Sequence, residues 1–581
     1  MINTPFEHEY FIGYVNQVLP QYIMVHFPAS VLLKNFVFKG EHLNGGLVGS
    51  FVVIEGHNYG FLGKILELSL SEKERLQLSE QSFQNKEFHP SGKIEILLSF
   101  DLFEPEKVQK GLNSLPTIGA KVFVCTSAFL KSYFKGFGVK PENKETAPTI
   151  NIGSLTYDTS AKIEISQQAL FGRHCAVVGT TGGGKSYTTS KLFEGIISNK
   201  GKAILIDATG EYNSHDNKTY SSQSLILSTN SYFPYSRLTI GDLFVLFRPG
   251  GQVQQPILLE AIKSLKLAHC LVRDLNQRIV YNGNVGTLNV HGKNLVIEDG
   301  CIRKQGCETE PFKRCYLRYA NEIEDSSKSD FNIQKLNKQI LFECYYDNGN
   351  IWSANRDERT FSNCTSLLMR INSLINDDGF KNILGFQVQE GSKDIVTQIE
   401  DFLENNDTSL LRIGFENVPF SFQSREILAN AIGKLLLNQS RTGKFKKKPI
   451  VLFLDEAHQF LNKNVRDEYF ESTELNSFDS IAKECRKYGL FLCISTQMPR
   501  DIPVGTLSQI GTFIVHRLIN HFDKESIASA CSTANRNSLE FLPTLGAGEA
   551  ILMGVDFPMP VMLKVNSPNV LPDSNTPQFT K

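Results

Sequence analysis

Eight residues constrain this chain more than any others: Gly179-Thr-Thr-Gly-Gly-Gly-Lys185-Ser186, set between the apolar run Cys175–Val178 and a helical stretch, Lys185–Asn199. The spacing is GxxxxGK[ST] in full. The glycines let successive backbone N–H groups turn inward and line a concave anion site. The following helix points the positive end of its dipole at the same place. Lys185 then supplies charge between a β- and a γ-phosphate, and the Ser186 hydroxyl reaches Mg²⁺. The expected binding set is Gly179, Thr180, Thr181, Gly182, Gly183, Gly184, Lys185, Ser186 and Tyr187, with ATP and Mg²⁺ as cofactors. A further strand, Ala203–Asp207, follows the helix, and this alternation predicts a parallel α/β sheet.

A second apolar strand, Ile450–Leu454, ends in two adjacent carboxylates, Asp455 and Glu456. At the C-terminal edge of a parallel sheet, Asp455 holds Mg²⁺ through water while Glu456 faces the γ-phosphate and polarises the attacking water. An Asp-Glu strand end beside a P-loop places the chain with RecA-like ATPases that carry their own base; GTPases use a different arrangement. A third run, Leu490–Ser495, leads to Gln497, which senses the γ-phosphate or is a satisfied strand-end amide. Upstream, Arg486 and Lys487 close a helix. Cations there serve the helix dipole, or Arg486 reaches a neighbouring subunit's ATP as an arginine finger; Arg173 and Arg517 are rivals for that role. The expected catalytic residues are thus Glu456, Gln497 and Arg486, and the expected metal ligands Ser186 and Asp455. Asp207 and Glu211 lie near the nucleotide edge of the sheet, with turn capping as the other reading of Asp207. The run Lys444–Lys448 reads as a solvated loop or a phosphate contact.

The rest of the chain is ordered around these motifs. Residues 1–150 hold short β-branched and aromatic runs separated by Gly- and Asn-bearing turns: Tyr14–Phe27, Gly49–Ile54, Gly60–Leu68, Lys93–Phe100 and Lys121–Cys125. Such runs predict a small β-barrel or sandwich, with Ser69–Gly92 a polar surface excursion. Core alternation occupies 151–250 and resumes over 386–565, through Ser409–Ile413, Ser424–Gln439 and Gly511–Val515. Between them, 251–385 reads as a mainly helical insertion, with helices over Gln255–Leu275, Asn332–Tyr346 and Ser362–Asn376. Residues 566–581 read as an extended tail. The expected fold class is an α/β RecA-like P-loop ATPase core on a parallel sheet, with an N-terminal β-barrel domain and that insertion.

Charge and cysteine usage narrow the partners. Lys plus Arg number 60 against 61 Asp plus Glu, so a nucleic acid must meet a local basic surface rather than a basic body. Eleven scattered cysteines without a paired framework suit a reducing cytoplasm. Cys301, Cys307 and Cys315, with His291 upstream, lack the spacing of a zinc knuckle. The first ten residues carry no signal-peptide pattern, and no apolar stretch approaches the roughly 18–20 residues needed to cross a bilayer. The expectation is a cytoplasmic protein without membrane contact.

Taken together, GTTGGGKS, DATGEY, LFLDEAHQFL, CRKYG with CISTQMP, and LSQIGTFIVHRLIN resemble the HerA family of bacterial and archaeal ATPases, relatives of the FtsK-type DNA pumps. The closing LGAGEAILMGVDFPMPVMLKV is similar to that family's last strands, and the N-terminal segment occupies the position of its HAS-barrel. The resemblance implies a homo-hexameric ring around double-stranded DNA, ATP at subunit interfaces, and a nuclease or other effector docked on the barrel. It also implies phosphate and metal holding by Lys185 and Ser186, metal holding by Asp455, the base role of Glu456, sensing by Gln497 and a trans-acting Arg486. The sequence departs from the commonest pattern in two places: DATGEY replaces DPxGEY, and STQMP replaces SQRP, leaving no Arg directly after Gln497, though Arg500 follows. The implied function is ATP-driven DNA translocation with a partner effector, in end processing or anti-phage defence. The alternative is an assembly platform whose ATP binding gates a neighbouring nuclease or sirtuin-like NAD-consuming enzyme. A conjugation or type IV secretion ATPase is a third reading, weakened by the β-rich start and the lack of a membrane segment.

Overall fold

The computed structural model describes residues 5–20, 22–38, 41–71, 88–102, 108–109, 115–143, 146–213, 221–461, 475–531 and 536–574. The chain forms two units, one from Met1–Ala203, Lys447–His458 and Ala482–Lys581, the other from Ile204–Lys446 and Gln459–Ile481.

The first unit begins with a closed barrel. Phe11–Val18 pairs with Tyr22–His26 and with Lys121–Val124; Phe51–Ile54 and Tyr59–Ser69 follow, and Ser91–Asp101 pairs back onto Tyr22–His26. Every one of these pairings is antiparallel. Inward-facing Ile12, Val25, Ile54, Ile65, Ile94 and Val122 fill the interior, as a barrel of this size requires. The sequence predicts one strand over Tyr14–Phe27, but the structure makes a hairpin. Pro20 has no N–H for a ladder, and the Leu19 N–H closes the turn onto the Tyr22 carbonyl. Register slips between Leu62 and Gly63, where a Cβ on Gly63 would fall 2.7 Å from Ile94 Cγ2; the bulge bends the strand around the ring. Most of the polar excursion expected at 69–92 lies outside the described residues.

In the same unit Cys175–Val178 is flanked by Leu490–Thr496 and Thr512–Val515, both parallel, and Ile450–Leu454 pairs in parallel beyond Leu490–Thr496. Every residue of these four strands is buried, the mark of strands covered on both faces. Beyond Thr512–Val515 the pairing turns antiparallel through Glu549–Gly554, Val561–Val565, Thr149–Leu155 and Lys162–Ser166. The expected parallel sheet is therefore the centre of a mixed one. The link from Gly554 to Val561 is too short for the crossover that a parallel return needs.

The second unit carries the strand residues from Ile204 to Asp207, then Leu410–Gly414 and Ser222–Ile226, in that spatial order, the last two parallel. Its insertion is mainly helical, with Gly251–Leu275, Leu336–Glu343 and Glu358–Asn376 as its larger helices. It also holds an antiparallel meander that the sequence reading does not contain: Ile279–Asn282, Val285–Val290, Lys293–Glu298 and Cys301–Ile302. Leu288, Leu295 and Ile297 of the meander pack with Leu271, Phe312 and Trp352 of the surrounding chain into one core.

Candidate nucleotide site

Parallel pairing brings the C-terminal ends of four strands to one edge of the sheet, so Gly179, Asp455, Gln497 and His516 all emerge there. Gly182 and Gly184 take left-handed φ values of 73° and 112°. A Cβ at Gly184 would also come 3.0 Å from Gly548 Cα, so conformation and space both demand glycine. The Thr180 N–H donates to the Arg517 carbonyl, Gly183 to Thr180, and Gly548 to Gly183, which pins the turn from both sides. The helix Lys185–Ser198 starts at once. Lys185 is buried, its ammonium 3.4 Å from the Thr180 carbonyl, while Ser186 and Tyr187 are half-buried in the first turn and Thr181 is exposed. Left-handed glycines, open space where a Cβ on Gly182 would sit, a helix N-terminus and a buried ammonium together fit a triphosphate.

The strand Ile450–Leu454 delivers a buried Asp455 and, next to it, Glu456 with φ 45°. A left-handed glutamate stores about 1–3 kcal/mol of strain, which the packing around it must sustain. Burial raises the Glu456 pKa, opposed by the Lys185 charge and a Gln497 backbone N–H. His458 Nδ1 lies 3.3 Å from Glu456 Oε2 and 3.3 Å from Thr496 Oγ1. Burial lowers the His458 pKa, so the ring faces the carboxylate as a neutral group. Thr181 donates its hydroxyl to Gln497 Oε1 at 2.6 Å, linking the Gln497 side chain to the P-loop.

The three candidate arginines differ. Arg486 is exposed on the turn Cys485–Tyr488. Arg173 is paired with Asp556 at 3.0 Å. Arg517 is exposed, and its backbone carbonyl already serves Thr180.

Other sequence candidates have structural roles. Asp207 is wholly buried; it accepts the N–H groups of Thr209, Gly210 and Tyr212 and the Arg412 Nε at 2.7 Å, which is the turn-capping reading with a buried ion pair added. Glu211 is half-buried beside that turn. Lys446, Lys447 and Lys448 are exposed, Lys444 pairs with Glu404 and Phe445 anchors the loop. Among the described residues no group of three His, Cys, Asp or Glu is placed to hold a metal, Cys301, Cys307 and Cys315 included. His516, His458 and Arg412 go unremarked in the motif reading. For His516 the available signal was a polar residue directly after the apolar run TFIV, the same pattern that marks Asp455.

Two family profiles match the chain: "Helicase HerA, central domain" over residues 150–291 and "Helicase HerA-like C-terminal" over 430–570. The chain is similar to the HerA family over its central and C-terminal domains. The first matched segment contains the P-loop; the second contains Asp455, Glu456, Arg486, Gln497 and His516. A probable helicase of Methanocaldococcus jannaschii is 24% identical across 72% of this chain and 70% of its own length. The DNA double-strand break repair helicase HerA of Sulfurisphaera tokodaii is 22% identical across 86% and 83%. Among solved structures, the bacterial conjugative coupling protein TrwB aligns at 11% identity over 78% of this chain and 93% of that one, with a TM-score of 0.42. Among the described residues no helix is long and apolar enough to cross a membrane.

Proposed function

We propose that this chain is an ATP-hydrolysing, HerA-type motor of the cytoplasm that assembles as a homo-hexameric ring, moves double-stranded DNA and works with a nuclease or other effector at its barrel. The observation that carries the hydrolytic part is Glu456. It is a mostly buried carboxylate, strained at the end of a central strand, of raised proton affinity and within the field of the P-loop lysine. A raised affinity is what a proton acceptor in a water-poor pocket needs.

The roles of the other residues follow from their places. Loop amides around Gly182–Lys185 cradle the phosphates, and Lys185 sets its charge against the β- and γ-groups. Ser186 and Asp455 would hold Mg²⁺, which supplies charge neutralisation on the phosphate oxygens. Glu456 takes the proton of the attacking water, His458 faces its carboxylate, and Gln497 orients the water while tied to Thr181. Arg486, exposed where Arg173 is engaged, completes the pocket of a neighbouring protomer. DNA as the moved partner rests on the relatives, which are named as HerA helicases.

Glu456→Gln tests the base. Its kcat is expected to fall at least ~100-fold with ATP affinity kept, and an unchanged kcat would remove Glu456 from the mechanism. Duplex DNA is expected to raise parental turnover at low salt and less so at high salt. Intact turnover that DNA leaves unmoved would favour the platform reading.

A further inference from the structure

Beneath the P-loop sits a histidine that no phosphate or metal role accounts for. His516 follows the strand Thr512–Val515 and is fully buried. Its Nδ1 lies 2.9 Å from the Glu549 carbonyl, which only accepts, so Nδ1 carries the proton. Burial, helped by the Lys185 charge, holds the ring's pKa down to about 4 against the pull of the Glu549 and Gly183 carbonyls, so the ring is neutral; with the proton on Nδ1, Nε2 keeps its lone pair. The Thr188 hydroxyl, 2.8 Å from Nε2, is therefore the donor. Thr188 is the fourth residue of the helix that the P-loop opens.

The same ring packs against the loop. A Cβ on Gly179 would fall 2.6 Å from His516 Cβ, and one on Gly184 would fall 3.2 Å from His516 Cε1. Backbone bonds tighten the junction: His516 N–H donates to Val178 at 2.7 Å, and Gly548, next to Glu549, donates to Gly183 at 3.1 Å. One side chain thus ties the P-loop helix to the strand that starts at Glu549.

We propose that His516 is a positioning residue for ATP binding, whose Nε2, by accepting from Thr188, fixes where the Lys185–Ser198 helix begins and hence where the loop amides point. This rests on the P-loop being an ATP site. A phenyl ring would fill the same volume, so the polar contacts are what distinguish histidine here.

The two contacts separate by substitution. His516→Phe loses both. His516→Gln places an amide near the Nε2 position and retains an acceptor for Thr188; His516→Asn places one near Nδ1 and retains only the bond to Glu549. Equilibrium binding of ATP and kcat are measured for each, together with Tm. His516→Phe, His516→Asn and Thr188→Val are expected to weaken ATP binding about ten-fold with kcat within about two-fold, whereas His516→Gln and Thr188→Ser stay near the parent. ATP affinity equal in all variants overturns the proposal. So does a joint fall of affinity and kcat that tracks lost Tm, which is the signature of a merely structural role. If His516→Phe does not fold, the Thr188 pair carries the comparison. Binding is read directly, so a parent that binds ATP without hydrolysing it defeats the motor reading and leaves this test standing.

Discussion

Glu456 and Arg412 use burial in opposite ways. Glu456 is left with a raised proton affinity, whereas Arg412 is saturated: its guanidinium reaches Asp207 at 2.7 Å, Ser224 at 2.9 Å and Glu416 at 3.0 Å, all out of solvent or nearly so. Arg412→Met strips a buried carboxylate of its counter-charge and is expected to cost about 3–5 kcal/mol in urea denaturation; an unchanged midpoint would show the pair to be idle. An arginine inside the apolar run LLRIG signals a buried partner, but nothing local says which one, because Asp207 lies 205 positions away. The P-loop, by contrast, was legible residue by residue, since its spacing encodes its own geometry. Two histidines set a pH dependence. Burial lowers His516 and His174 to about 4; His174 sits between the Ala482 carbonyl and the Leu492 N–H. The unfolded chain takes up protons near pH 6.5 and the folded one near 4, so stability is full above that window and falls as pH drops through it. Tm is expected to decline between pH 7 and 4.5, and a flat profile would contradict neutral, buried rings.

At the scale of elements, strands that end in chemistry were readable and strands that only pair were not. Buried parallel strands appear as uninterrupted apolar runs, which is why Ile450–Leu454 coincides with its predicted range. The meander of the insertion hides because its strands are short and half polar. Its signal lies in the turns: His291-Gly292 and Asp299-Gly300 all adopt positive φ, the two-residue hairpin signature. Trp352 is the single tryptophan of the chain and is buried in the insertion core beside Phe312, with the Lys304 ammonium over its ring. Its fluorescence therefore reports this element alone. Leu271→Ala, a deletion in that core, is expected to lower the stability read by Trp352 by about 2–5 kcal/mol; an unmoved transition would mean that the insertion lacks the shared core described above.

For the whole molecule, the decisive feature is the placement of P-loop, carboxylate pair and Gln497 at one sheet edge, with Arg486 exposed rather than turned into it. A ring reading makes that division useful, because each pocket then waits for a neighbour's arginine. Arg486→Ala is expected to lose about 10³-fold or more in kcat with ATP affinity kept. Mixing it with Glu456→Gln is expected to recover activity, since some interfaces then pair an intact base with an intact arginine; mixtures as inactive as their components would contradict a trans-acting Arg486. All of this stands on ATP being cleaved at the loop Gly179–Ser186. The most direct measurement is DNA-stimulated ATP hydrolysis by the parent and by Lys185→Ala side by side. The account predicts turnover in the parent and a loss of at least ~100-fold in the variant; a variant as fast as the parent would contradict it.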